Sequence, residues 1–431
     1  MIKVNLISLL VASACALTSV SSVAAIQVLH AGELLTVPGK KPLTKQSVII
    51  ENGHIKAVRS GFVAASDYGQ DAQLIDLSSS FVMPGMMDMH VHLQAEFGPD
   101  NDKNMLKQSD ADLAMSSVYY AKKTLLAGFT TVRDLRSQTE QMYALRDGIN
   151  KGWIDGPRVI AGAAISVTGG HLDADGMAPD ILHIKSLESL CDGPYECRKV
   201  TRDVIKYGAD VIKIASTGGV LSDTNTGTGQ QMTDDELKEI VDTAHSLGRK
   251  VTSHAHAADG INAALRAGVD SIEHGSYADK TSIKLFKKSG AYLVPTLLAG
   301  ATAVEMAKNS SFMSPAVKAK AIRVGSDMQK SFKASYKAGV KIAFGTDSGV
   351  SKHGINAQEA VLMHQAGMTT ADVLKSATVN GADLAGMSDK LGTLEAGKYA
   401  DIIAMDASPL KNIEELLDVD FVMKGGTVYK Q

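Results

Sequence analysis

Between residues 82 and 348 the chain alternates, eight times over, a short apolar run rich in β-formers with a longer stretch of helical character. The runs fall at 82–92, 129–135, 158–166, 209–216, 250–256, 271–275, 291–297 and 341–348. Their near-continuous apolar character suits strands covered on both faces. Helical patterns such as 109–126, 233–247 and 315–338 lie between them. One device recurs at the joins: Leu126-Ala127-Gly128, Arg266-Ala267-Gly268 and Lys337-Ala338-Gly339 each end a helix on glycine before a buried strand begins. Eight successive βα units predict a closed (β/α)8 TIM barrel rather than an open doubly wound sheet.

The flanks have another texture. Short alternating strands are expected at 25–31, 46–51, 54–59 and 72–76, and again at 400–405, 421–424 and 427–429. Asn52-Gly53 and Gly425-Gly426 read as hairpin turns. Neither flank is long enough for a sheet domain of its own. The two ends are therefore expected to pair into one small β-sandwich, 26–83 giving its N-terminal part and 389–431 its C-terminal part, beside a barrel over 84–388.

Residues 1–25 stand apart. Lys3 is a short positive region, 4–17 is mostly apolar, and Ser22-Val23-Ala24-Ala25 offers the small residues a signal peptidase needs. The apolar run is shorter than the roughly 18–20 residues that span a bilayer. A secretory signal peptide is expected, with the mature protein periplasmic or secreted; lipidation at Cys15 is the alternative. Nothing else in the chain resembles a membrane span. With the leader removed, Cys191 and Cys197 are the only cysteines, candidates for a small-loop disulfide in an oxidising compartment. A formal net charge of -3 gives no footprint for nucleic acid or an anionic membrane. It leaves a homo-oligomer open.

A TIM barrel presents its chemistry at the C-terminal ends of its strands. The first strand offers His90-Val91-His92, two imidazoles two residues apart on one side of a strand, a two-nitrogen claw for zinc. The fourth carries Lys213 inside an apolar run, costly if charged and otherwise explained by an ion pair or by chemical modification. The fifth offers His254 and His256, the sixth Glu273-His274-Gly275, the eighth Gly345-Thr346-Asp347-Ser348. Each alone has a plain structural explanation: a packed histidine, a buried ion pair, a helix-capping aspartate. Together, in order on strands one, four, five, six and eight, they do not look like chance.

This pattern resembles the amidohydrolase superfamily, in the branch similar to imidazolonepropionase and the metal-dependent dipeptidases. The resemblance is carried by Pro84-Gly85-Met86-Met87-Asp88-Met89-His90-Val91-His92, by the strand-end residues above, and by Leu391-Gly392-Thr393-Leu394-Glu395-Ala396-Gly397 in the tail. It implies two Zn2+ ions, one held by His90, His92 and Asp347, the other by His254 and His274. It implies that Lys213, carboxylated by CO₂ to N6-carboxylysine, bridges them together with a hydroxide. That hydroxide would attack a polarised carbonyl, with Asp347 taking its proton and passing it to the leaving amine. Imidazolonepropionase-like enzymes can work with one metal and need no strand-four lysine, so Lys213 points to the binuclear dipeptidases. His256 is an alternative ligand to His254, or a substrate contact.

Within the branch, Ser166-Val167-Thr168-Gly169-Gly170-His171-Leu172-Asp173 and His254-Ala255-His256 resemble exported dipeptidases and carboxypeptidases that release C-terminal Arg or Lys. Similar prolidases tend to carry Tyr where His256 stands. The expectation is a carboxypeptidase-type dipeptidase acting on Xaa-Arg and Xaa-Lys, with Xaa-Pro next, then cyclic amides, lactones or organophosphate-like esters. A non-catalytic binding protein is disfavoured by the complete ligand set. His171 is expected to bind the scissile carbonyl or the substrate carboxylate, unless it only bonds within its loop. Arg133 and Asp134 are expected to form a structural ion pair rather than to contact substrate. His353 lines the pocket or lies at the surface, and the Gly/Thr/Ser-rich stretch 216–230 is a candidate mobile loop.

Overall fold

The computed structural model describes residues 26–135, 139–174, 178–185, 187–222 and 227–431; the expected leader at 1–25 lies outside them. The chain opens with β1 (Gln27–Leu34), β2 (Leu43–Glu51), β3 (His54–Ser60) and β4 (Gln73–Pro84). Asn52 (φ 54°) and Gly53 (φ 75°) make the turn between β2 and β3, both left-handed as a two-residue hairpin of this kind requires.

The barrel strands follow: β5 (Met86–Val91), β6 (Phe129–Asp134), β7 (Arg158–Ile165), β8 (Val211–Ala215), β9 (Lys250–Ala255), β10 (Ser271–His274), β11 (Tyr292–Val294) and β12 (Lys341–Ile342). They lie in sequence order in one sheet. Helices of the expected kind fill the intervals, such as Asp110–Leu126, Asp234–Ser246 and Pro315–Lys337. Ser109 opens the first with a capping box to Asp112, and Gly268 closes the helix Ala258–Ala267 in the left-handed region at φ 100°. Beyond β12 the chain returns to β5: Met89 N–H donates to Phe344 O (2.9 Å), Asp347 N–H to His90 O (2.7 Å) and His92 N–H to Ser348 O (2.6 Å). These bonds close the barrel.

The tail strands β13 (Ile402–Met405), β14 (Phe421–Lys424) and β15 (Thr427–Lys430) join the first four in a seven-stranded sheet ordered β15-β14-β13-β4-β1-β2-β3. Both chain ends thus build one unit. Ile55 of β3 and Met423 of β14, far apart in strand order, share a buried apolar cluster. Backbone bonds from Ile55 N–H to Lys398 O and from Ala400 N–H to Gly53 O fasten the N-terminal hairpin to the tail. The sheet therefore rolls over on its own core.

The flank strand expected at 72–76 continues to Pro84, and three of the barrel runs differ from expectation in more than their end residues. The run 82–92 is two elements, because the chain leaves the sheet after Pro84 and enters the barrel at Met86. Gly85 sits at the crossing, where an added Cβ would lie 2.4 Å from Thr130 Oγ1. The run 291–297 stops being strand after Val294; Thr296 turns left-handed (φ 51°) and the helix Leu297–Asn309 begins. The run 341–348 has ladder pairing only at its start, and the rest is held by the closing bonds to β5. Apolar content alone does not register where such changes of direction fall.

Candidate metal centre

Every strand end named from the sequence converges on one cavity of about 570 Å³, lined by His90, His92, Lys213, His254, His274 and Asp347, with His171 and His256 in its wall. Two groups of three donors stand out among the described residues: His90, His274 and Asp347, and His254, His256 and His274, with donor atoms in each within 4.8 Å of one another. They share His274, so they adjoin. His92 completes the first, its Nε2 2.9 Å from Asp347 Oδ1. Lys213, 2 % exposed on β8, projects into the same cavity.

The backbone works to aim these groups. His274 (φ 71°), Thr296 (φ 51°) and Asp347 (φ 58°) are left-handed without being glycine. The other two such residues among those described, Lys45 and Asn52, lie in the N-terminal sheet unit. Left-handed side-chain-bearing residues cost of order 1–3 kcal/mol each and gather at functional sites. The turn at His274 also lets two successive residues, Glu273 and His274, both serve the site, where regular pleating would send them to opposite faces.

Each imidazole is oriented from behind. His90 Nδ1 meets Glu273 Oε2 at 2.8 Å, His274 Nδ1 meets Thr296 Oγ1 at 2.7 Å, His256 Nδ1 meets Ser276 Oγ at 2.7 Å, and His171 Nδ1 meets Ser222 Oγ at 2.6 Å. In the first three, which belong to the donor groups, Nε2 is the nitrogen turned to the cluster, the arrangement that fixes a metal-binding tautomer. Glu273 is itself anchored: its Oε1 accepts from Arg133 Nη2 (2.9 Å), Ser271 Oγ (2.8 Å) and Thr252 Oγ1. Asp88 plays the equivalent part for the eighth strand, accepting from His90 N–H and Thr346 N–H on one oxygen, and from Thr346 Oγ1 and Asn356 Nδ2 on the other.

Electrostatics complete a ligand-ready set. Burial, then the Lys213 charge, brings His90 down to about 4 against the pull of Asp347 and Glu273. Burial and neighbouring imidazoles hold His254 and His274 well below their ordinary value, and burial brings His256 to about 4. For Asp347 burial pushes upward, but His90, His92 and His274 outweigh it and keep the carboxyl well below the usual range. Neutral imidazoles and an ionised carboxylate are the protonation states that divalent cations require. A buried cluster of this chemistry fits a metal.

The sequence reading needs correction at two places. Arg133 does not pair with Asp134: it pairs with Glu273, while Asp134 accepts the Leu93 N–H at 2.7 Å. Adjacent residues on a strand face opposite ways, so Arg133 enters the barrel interior and Asp134 the β5 end. His353 is neither at the surface nor on the cavity wall; it is 1 % exposed behind His92, with Nε2 3.1 Å from His92 O. Glu273, Thr296 and Asp88 were given no role from the sequence. Glu273 stands next to one candidate ligand, His274, and Asp88 two residues before another, His90, which was a usable signal. Thr296 has none, since nothing local marks its approach to His274. The stretch 216–230 is pinned at its base by Gly218 N–H to Gly229 O (3.0 Å), and 223–226 lie outside the described residues. Cys191 and Cys197 are disulfide-bonded.

A closed parallel barrel with a buried histidine–aspartate cluster at its strand ends defines a metal-dependent hydrolase. Residues 81–429 match the amidohydrolase family, and the chain belongs to it. It is 32% identical to ochratoxinase of Aspergillus niger over 94% of this chain and 87% of that protein. It is similar to the crystal structure of a Xaa-Pro dipeptidase with methionine in its active site (TM-score 0.89, 38% identity, 94% of this chain, 100% of that one). It is also similar to a prolidase complexed with N-methylphosphonate-L-proline (TM-score 0.85, 30% identity, 94% and 100%).

Proposed function

We propose that this chain is an exported, binuclear zinc dipeptidase that cleaves the amide bond before an apolar C-terminal residue, proline foremost. The observation that carries the reading is the pair of adjoining three-donor groups opening into a largely apolar cavity. His90, His92 and Asp347 would hold one ion. His254 and His274 would hold the other, with His256 close enough to join them. Lys213, condensed with CO₂ to a carbamate with loss of a proton, would add a carboxylate-like group to the set that holds them.

When bound, the two ions supply Lewis acidity for the scissile carbonyl and turn water into a nucleophile near neutral pH. The chain supplies the rest. Asp347, ionised and among the donors, accepts the proton of the attacking water and delivers it to the leaving nitrogen. His171, whose ring centroid stands 4.1 Å from that of His254, is held by Ser222 to hydrogen-bond the substrate carbonyl. His256, fixed by Ser276, faces the substrate carboxylate.

An apolar C-terminal residue is placed ahead of the Arg/Lys expectation for a physical reason. Besides Asp347, the carboxylate in the described cavity wall is Asp173. Its oxygens already accept backbone N–H groups of Gly169, Ala174 and Leu187, so it is committed to its own loop. The similarity to prolidases supports the same preference, and the Cys191–Cys197 disulfide supports export. Among the described residues no helix is long and apolar enough to cross a membrane.

The test is amino-acid release from a dipeptide panel by zinc-loaded protein prepared with bicarbonate. Release chiefly from Xaa-Pro and other apolar C-termini supports the reading. Release chiefly from Xaa-Arg and Xaa-Lys restores the basic preference. No release with two metals bound removes the peptidase assignment and points to cyclic amides, lactones or esters.

A further inference from the structure

Beyond the metal cluster the cavity extends against two helices, Leu297–Asn309 and Pro315–Lys337, which follow β11 and pack as a hairpin. The pair is unusually close where Gly300 meets Gly325. A Cβ on Gly325 would lie 3.0 Å from Gly300 O and 2.4 Å from Val304 Cγ2, and one on Gly300 would lie 2.8 Å from Met328 Sδ. A side chain at Gly325 would press on the backbone of the partner helix, and one at Gly300 would have to displace the Met328 thioether. Both glycines face the cavity, with Ala299 and Ala303 beside them, so that wall is set back from the metal cluster.

The rim is built differently. Phe312, at the tip of the helix pair, meets Phe97, from the segment after β5, with ring centroids 5.8 Å apart and planes at 55°. Both rings line the cavity, and Phe312 remains 37% exposed. Met313 and Met328 also line the cavity. Thioethers adapt their shape and make favourable contacts with rings, and tilted aromatic pairs readily receive a third ring. The recess is continuous with His274 and Asp347, so what fills it is part of the molecule being cleaved.

We infer that the recess between the helix pair and Phe97 selects amide substrates carrying a bulky aromatic group. This rests on the hydrolase reading above and sharpens it. A small dipeptide such as Ala-Pro reaches the metals but leaves the recess wet. A substrate with an aromatic ring displaces that water and gains apolar contact with Phe97, Phe312 and the methionines, so its kcat/KM rises. The aromatic group sits on the acyl side or on the amine side of the scissile bond, and the substrate pairs below separate the two.

The experiment compares kcat/KM of the zinc-loaded enzyme for Ala-Pro with that for Phe-Pro and N-(2-naphthoyl)-proline, which place the ring on the acyl side, and for Ala-Phe, which places it on the amine side. At least one aromatic substrate is expected to exceed Ala-Pro by about tenfold or more. Phe312→Ala, which removes the ring from the rim, and Ala303→Leu, which fills the recess, should each bring that ratio down towards one. Hydrolysis of all four at similar efficiency overturns the inference and leaves the dipeptidase reading standing. If none is cleaved, calorimetric binding of 2-naphthoic acid decides: binding lost in Ala303→Leu keeps the recess as an aromatic site and removes the dipeptidase reading, whereas no binding removes both.

Discussion

His90 Nδ1 lies 2.8 Å from Oε2 of Glu273, and the other oxygen of that carboxylate takes Arg133 Nη2 at 2.9 Å. Both residues are fully buried, so the cluster stands on a polar layer inside the barrel rather than on hydrocarbon. Burial pushes the Glu273 carboxyl upward, but Arg133 and then His90 outweigh it and hold it ionised. That charge keeps the His90 proton on Nδ1 and its lone pair on the cavity side.

Replacing Glu273 with Gln should therefore weaken metal affinity about 10–100-fold, as loss of an orienting partner does elsewhere. Competition with a chromophoric chelator measures it. Unchanged affinity would show that the barrel alone positions His90.

Asp347→Asn keeps the shape of the site and removes the proton acceptor. A fall in kcat of about 10²–10⁴ is expected, in the range of general acid–base contributions. Measuring metal content alongside separates this from lost binding: a variant that retains both ions and full kcat would contradict the assigned role.

Much of this was written in the chain. The strand-end positions of His90, His92, Lys213, His254, His274 and Asp347 follow from the period of the βα units, because a barrel gathers strand ends whatever the loops do. The union of the two flanks was legible from their shared short-strand texture. The groups that aim the ligands were not legible as such. Thr296 reaches His274, and Arg133 reaches Glu273, across separations fixed only by barrel closure and by left-handed turns that no local pattern announces. The engagement of Asp173 by the backbone of its own loop also escaped, because it depends on how Gly169, Ala174 and Leu187 are brought around it.

Glu359 supplies a test through pH. Its carboxylate accepts Leu297 N–H (2.9 Å) and Leu298 N–H (2.6 Å) at the start of a helix that lines the cavity, and burial pushes it up to about 8 despite those bonds. A carboxyl raised above its unfolded value of 4.5 contributes stability that is full below that value and is lost as pH rises through about 8. The melting temperature should decline across that window. Glu359→Gln, which cannot accept both N–H groups, should cost about 1–3 kcal/mol near pH 5 and follow a flatter pH profile, so the two curves approach each other at high pH. Parallel curves would contradict the assignment.

The carbamate proposed at Lys213 can be tested directly. Protein prepared with ¹³C-bicarbonate and zinc should give a carbamate resonance by NMR, absent from Lys213→Arg. The arginine variant should also lose nearly all activity, since guanidinium cannot form the bridge. An active variant, or native protein without the resonance while metal-loaded and active, would remove the bridge from the mechanism.

The most direct measurement is a zinc titration of metal-stripped protein in bicarbonate, following Ala-Pro and Phe-Pro hydrolysis and bound metal together. The account predicts no hydrolysis without metal and a rise that reaches its plateau at two zinc ions per chain. Full activity in the stripped protein, or two bound ions with no hydrolysis of any amide, would contradict it.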